Sequence, residues 1–403
     1  AFCGVPTFFK DNENVAGFPT RQGSLSMPSG VIAHSSDFAQ QLLATGFTHL
    51  GKTTLPEFGL TCTTESEATG ATRNPWNLEH STGGSSGGSA ALVAAGVVPA
   101  SHGNDGGGSI RIPSSCCGLI GLKASRGRLY GSEGDEKLPI KLIGQGLLTR
   151  SVRDTATFLA AGETFKQDPA FPELGLVSDP GAKRLRIGMF TDSATGNASH
   201  PDVVAVVEKT ARLCSDLGHH VETMKNPYPR RLADDFLIYW GAIPFALKWL
   251  GKREFGLDFD SSQFDSWTDG LARIGRNNLH RLPFILYRLK KFAAQYDTLF
   301  GDYDLMLTPV LSQAPLKLGT ISPDVAFETQ VETVVSYCAF TAFQNLSGSP
   351  AISLPMGHSA SGLPIGVQFA APMGDDRTLL ELAYELEHAK AWDNAPAQGY
   401  SQS

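Results

Sequence analysis

The sequence predicts an α/β fold in which helices cover both faces of a twisted mixed β-sheet, and three observations lead there. Residues 89–95 read as a helix, 97–101 as a buried strand and 119–123 as a second strand. That alternation belongs to sheets with helices packed on their faces. A second unit of the same kind follows, in which strand 186–190 precedes a helical stripe of Val203, Val207, Ala211, Cys214 and Leu217, and strand 221–224 returns. The sheet is therefore expected to continue as one domain over residues 1–403. Thirdly, glycine and serine crowd into 83–89 and 103–109, far more densely than in the chain as a whole, where glycine makes up 43 of 403 residues. Loops of that kind, enclosing an apolar helix, are placed to bring backbone N–H groups up to a ligand rather than to link domains.

Taken in order, the chain opens on a short apolar strand, GVPTFF, ending at Lys10 and Asp11. Ser36 and Asp37 cap a helix over 38–45, stopped by Gly46, and a strand over 47–50 leads into Gly51-Lys52-Thr53-Thr54. Lys52 is thus expected just past a strand end, where parallel sheets gather ligand-handling residues. Residues 74–82 read as a loop. Ser151 opens a helix to 161, and 167–182, rich in Pro, Gly and Asp, reads as a boundary or a long surface loop. From 227 to 300 aromatics including Trp240, Trp249, Trp267 and Tyr287 sit among charged residues, as in a helical insertion over a cleft or in ordinary helix packing. Short strands at 304–308, 351–354 and 366–369 and an amphipathic helix over 376–389 complete the fold.

Composition narrows the function. A net charge of −7 argues against a nucleic-acid partner. No run approaches the roughly 18 apolar residues of a membrane span. The six cysteines carry no CxxC or paired spacing, so neither a zinc site nor a disulfide framework is expected, and a reducing, cytoplasmic setting fits them. No basic-then-apolar leader opens the chain, which starts at Ala1, and a preceding segment is expected to be missing.

Three chemistries compete for the glycine loops. A phosphate loop lacks its GxxxxGK[ST] pattern. A GxSxG elbow at Gly83 to Gly87 lacks the buried strand that should precede it. The third makes Ser109 a nucleophile, with the N–H groups of Gly106, Gly107, Gly108 and Ser109 as an oxyanion hole. A serine needs a base. Lys52 can supply it through the hydroxyls of Ser85 and Ser86. An ordinary lysine would be only about 0.4% neutral at pH 8, so the base must be buried away from carboxylates.

Gly51-Lys52-Thr53, GGSSGGSAA from Gly83, DGGGSIRIP from Asp105 and NLSGSPAISLP from Asn345 together resemble the motifs of the amidase signature family, over nearly the whole chain. ATRNPWNL from Ala71 and HGND from His102 are similar to its 6-aminohexanoate cyclic dimer hydrolase group. The resemblance implies a single amidase-signature domain and a Ser-cisSer-Lys triad, with Ser109 as nucleophile, Ser85 as the serine after a cis peptide and Lys52 as base. Asp105 and Arg111 would pair behind the loop, and Ser86 would support it. It implies hydrolysis of small-molecule amides through an acyl-enzyme, with no metal or organic cofactor. Aromatics of 227–300 and residues 338–344 would select apolar, aryl or long-chain amides; esters and carbamates stay open, and so does a homodimer. The alternatives are a glutamine-hydrolysing subunit of an amidotransferase and a non-catalytic binding protein. Asn104 and Gly106 depart from the small hydroxylated residues common in the family at those places.

Overall fold

A computed structural model describes residues 1–392. Strand β1 (Pro6–Lys10) pairs in parallel with β2 (Thr48–Thr53), and between them runs α1 (Asp37–Ala44), whose N-cap Ser36 accepts from the Ala39 amide. Two small hairpins follow, β3 (Glu65–Ser66) with β4 (Gly70–Ala71) and β5 (Arg73–Asn74) with β6 (Asn77–Ser81). The expected loop at 74–82 thus contains short pairing.

The central unit is α2 (Gly87–Ala94), β7 (Ala100–Asp105), α3 (Arg111–Cys117), β8 (Ile120–Lys123) and β9 (Gly144–Thr149). Next come α4 (Val152–Glu163), capped by Ser151, β10 (Arg186–Met189), α5 (Pro201–Asp216) and β11 (His220–Thr223). Three helices, α6 (Arg231–Phe255), α7 (Ser266–Asn277) and α8 (Leu282–Gln295), fill the aromatic-rich segment. Strand β12 (Leu305–Pro309), helices α9 (Phe327–Tyr337) and α10 (Ala342–Ser347), strands β13 (Ala351–His358) and β14 (Pro364–Ala370), and α11 (Asp376–Ala389) close the order.

Eight strands form one mixed sheet in the order β11-β10-β12-β14-β13-β8-β9-β7. The β11, β10 and β12 pairs are parallel and the rest antiparallel. Alternation along the strands explains why both faces carry helices. On β9, Leu147 joins a core with α4, α5 and α11, while Leu148 joins another with α2 and α3. On β12, Leu305 and Leu307 face the first core and Met306 faces α6 and α8. The sequence-level βαβ units are therefore continuous parts of one sheet.

Strand β1 lies beside β7 through side chains: Thr7 Oγ1 donates to the Ala100 carbonyl and Ser101 Oγ to that of Phe8. This is what carries the end of β1 to the glycine loops.

Candidate active site

The glycine-serine loop before α2 is fastened to β7. Ser89 Oγ donates to the His102 carbonyl at 2.6 Å and Ser86 Oγ to that of Asn104 at 3.3 Å. The Gly84–Ser85 peptide is cis. A Cβ on Gly84 would stand 2.5 Å from the Thr63 carbonyl oxygen, so only glycine fits this approach. Ser85 is buried, and the lysine that meets it is Lys10: Nζ lies 2.7 Å from Ser85 Oγ and 2.7 Å from Asn104 Oδ1. Lys10 is wholly buried, and burial pulls its ammonium down to about 7, against the opposing effect of the Asp105 carboxylate.

The expected contact of Lys52 with Ser85 is therefore corrected: Lys10, not Lys52, meets that serine. Lys52 lies within β2, and its Nζ meets Asp11 Oδ1 at 3.3 Å, the Glu13 carbonyl at 2.6 Å and Thr20 Oγ1 at 3.3 Å. The reason is the pleat. Lys52 is in register with Phe9, and Lys10 with Thr53, so the two lysines leave the paired strands on opposite faces. A lysine closing an apolar strand was the signal in the sequence, since GVPTFF has to be buried and Lys10 follows it directly.

The strand end bearing Lys10 is held by a chain of hydrogen bonds. The Lys10 backbone N–H donates to His102 Nδ1 at 3.1 Å, so Nε2 carries the ring proton and gives it to Gln145 Oε1 at 2.9 Å. Gln145 Nε2 in turn donates to Glu13 Oε2 at 2.6 Å. Burial lowers His102 to about 3 and raises Glu13 to about 7.

Ser109 stands between β7 and α3, is 8% exposed, and lines a cavity together with Gly59 and Gly107. A Cβ on Gly59 would lie 3.1 Å from Ser85 Oγ, which puts Ser85 directly behind the cavity wall. Gly108 N–H is committed to Asp105 Oδ1 at 2.7 Å, and the amides of Ile110 and Arg111 also turn to that carboxylate. Gly108 is thereby removed from the four expected oxyanion donors. Among the described residues, the Gly106, Gly107 and Ser109 amides enter no such bond. Thr341 Oγ1 donates to the Gly107 carbonyl at 2.5 Å and fixes that peptide.

Behind the loop, Arg111 spends all five N–H donors: two on Asp105, at 2.9 and 2.8 Å, two on Gln344 and Gln368, and one on Asn345. Both charges are fully buried. Burial alone would raise the Asp105 carboxyl, but Arg111 and Asn345 outweigh it and hold it well below the usual range.

The cavity wall is apolar. Phe236 and Trp240 of α6 stack at 5.6 Å between ring centroids. A Cβ on Gly106 would be 3.0 Å from the Trp240 ring, so the aromatic pair rests on the glycine loop itself. Trp267 of α7, Phe343 and Leu346 of α10, and Cys338 complete much of the lining, which among the described residues contains no charged one. The Leu60 carbonyl accepts from both indoles, Trp240 Nε1 and Trp267 Nε1, at 3.0 Å each. Residues 60, 240 and 267 are thus tied at one atom.

The family model described as Amidase matches residues 1–380. The AmiC protein of Mycobacterium tuberculosis is 44% identical over 392 residues, covering 97% of this chain and 82% of its own. The 6-aminohexanoate-cyclic-dimer hydrolase of Paenarthrobacter ureafaciens is 36% identical over 421 residues, covering 97% and 84%. A solved structure of a 6-aminohexanoate cyclic dimer hydrolase complexed with substrate superposes with a TM-score of 0.90 at 32% identity, covering 99% of this chain and 87% of the other. With this match over nearly its whole length, the chain belongs to the amidase signature family, hydrolases acting on amides.

Proposed function

We propose that the protein hydrolyses uncharged, largely apolar carboxylic amides through an acyl-enzyme on Ser109, with Ser85 as proton relay and Lys10 as base. The observation that carries this reading is the wholly buried Lys10 amine at 2.7 Å from Ser85 Oγ, behind the cavity that Ser109 lines. Neutral Lys10 takes the Ser85 proton as Ser85 takes that of Ser109, and Ser109 Oγ attacks the amide carbonyl. The N–H groups of Gly106, Gly107 and Ser109 receive the developing oxyanion. The relay then returns the proton to the leaving amine, and water repeats the sequence on the acyl-enzyme. Asp105 and Arg111 hold the loop from behind, and Ser86 ties the cis-peptide turn to β7.

Substrate class follows from the wall. A free glutamine would bring an α-ammonium and an α-carboxylate into a lining with no charge to pair them, and burying either unpaired is costly. Aryl and long-chain neutral amides, including cyclic ones of the kind named for the relatives, lose no such hydration. The test is labelling of Ser109 by a fluorophosphonate, followed by a panel of neutral and charged amides with Ser109→Ala as control. Turnover of neutral apolar amides that disappears in S109A is expected. Equal turnover by S109A would sink the mechanism, and a preference for glutamine the substrate class.

A further inference from the structure

We infer that Asn104, held by Asn12, is a positioning residue that keeps the lone pair of Lys10 directed at Ser85. The inference rests on the proposed role of Lys10 as base. Lys10 Nζ has two side-chain neighbours at 2.7 Å, Ser85 Oγ and Asn104 Oδ1. An amide oxygen only accepts, so Asn104 takes an amine hydrogen and offers none to the lone pair. Ser85 is then the hydroxyl whose proton the amine can receive. The opposite orientation of the Asn104 amide would aim Nδ2 at the amine and occupy the lone pair that the reaction uses.

Asn12 pairs edge to edge with the Asn104 amide, and the Lys10 amine hydrogen donated to Oδ1 sets which end faces Lys10. Asn12 Nδ2 donates to Asn104 Oδ1 at 3.3 Å, and its Oδ1 accepts from Asn104 Nδ2 at 2.9 Å. The acceptor is also uncharged. A carboxylate in its place would stabilise the ammonium and take the base out of use near neutral pH. The titratable groups around Lys10 are few: Asp105 on β7 is paired with Arg111, Asp11 with Lys52, Glu13 is bound by Gln145, and His102 accepts from the Lys10 backbone N–H and bonds Gln145 through Nε2. A charge introduced at 104 is therefore not masked by an existing one.

The test is the pH dependence of kcat/KM for Asn104→Asp, with wild type and S109A measured alongside on the same neutral amide. In N104D the acidic limb is expected to move up by about one to three pH units, the range for an opposite charge in contact. Against a wild-type base half neutral at pH 7, that corresponds to about a five- to five-hundredfold loss at that pH, recovered toward alkaline pH at unchanged KM. A merely structural role would lower activity at every pH. An N104D profile superposing on the wild-type profile overturns the inference, while loss of activity in S109A still upholds the amidase mechanism. Full activity in S109A overturns both. Should N104D not fold, Asn12→Ala gives the second reading: kcat lower by about tenfold at unchanged KM is expected, and unchanged kcat overturns the role of the pair.

Discussion

Lys10 can serve as a base because burial, rather than a charged neighbour, dominates its environment. With its ammonium lowered to about 7, the neutral form predominates above that pH. Since the reaction needs the neutral amine, kcat/KM is expected to climb about tenfold per pH unit below 7 and to level off above it; a flat profile from pH 5 to 9 would contradict the assignment. Lys10→Ala should lose about 10²- to 10⁴-fold in kcat, the range for a positioned acid–base group. Lys52→Met should stay within about tenfold of wild type, since its ammonium serves Asp11, the Glu13 carbonyl and Thr20. Steady-state kinetics on the three proteins decides between the lysines. Lys52 stands beside threonines in the sequence and Lys10 follows two phenylalanines, and it is the register of β1 against β2 that sends them to opposite faces. Lys10 finds Ser85 and Asn104 across 75 and 94 residues, a distance over which residue order alone carries no directional information.

At the scale of elements, α7 is anchored where two acids meet. Asp265 caps α7, its side chain accepting from Thr268 N–H, and its own N–H donates to Glu57 Oε2 at 2.8 Å. Ser24 Oγ binds the other Glu57 oxygen. Burial, and then the charge of Asp265, raise Glu57 to about 8. Between the ordinary 4.5 and about 8 the folded protein holds a proton that the unfolded chain releases, so this contribution is complete below 4.5, declines as pH rises and is gone above about 8. Thermal midpoints from pH 5 to 9 are expected to fall less steeply in Glu57→Gln than in wild type, and parallel curves would refute this. The difference between the two proteins is the readout, because Glu13 titrates in the same sense.

Elements with local signals were legible in the sequence: Ser36 and Ser151 cap α1 and α4, and the stripe from Val203 to Leu217 marks α5. Helix α3 was not legible. Its RIPSSCC has no side-chain cap and a proline inside seven residues, and it is helical because every one of them is buried against the sheet. Strand β9 was hidden by its Gly-Gln-Gly start, where pairing with β7 rather than propensity decides. At the site, Ser109 and Ser85 stood out by their glycines, whereas Trp240 is brought to Gly106 only by the packing of α6.

The whole molecule is joined at Arg111. This one guanidinium binds β7 through Asp105, α10 through Gln344 and Asn345, and β14 through Gln368. Asp105→Asn would leave the Arg111 charge buried without its counter-ion and is expected to cost about 3–5 kcal/mol. Urea unfolding should show Arg111→Met to be similarly damaging and the double variant less damaging than the two losses added. Simple additivity would mean that the two side chains do not act as a pair.

The Leu60 carbonyl has a consequence for remodelling the cavity. Because it accepts two indole N–H groups, either tryptophan can be exchanged for phenylalanine while the other still satisfies the oxygen. Trp240→Phe and Trp267→Phe should each be mild, whereas together they strand a buried acceptor, at about 1–3 kcal/mol beyond the sum. The two tryptophans are therefore redundant guards of one atom. A lineage or an engineer can widen the cavity from the α6 side or from the α7 side, but doing both calls for a new donor to the oxygen of residue 60.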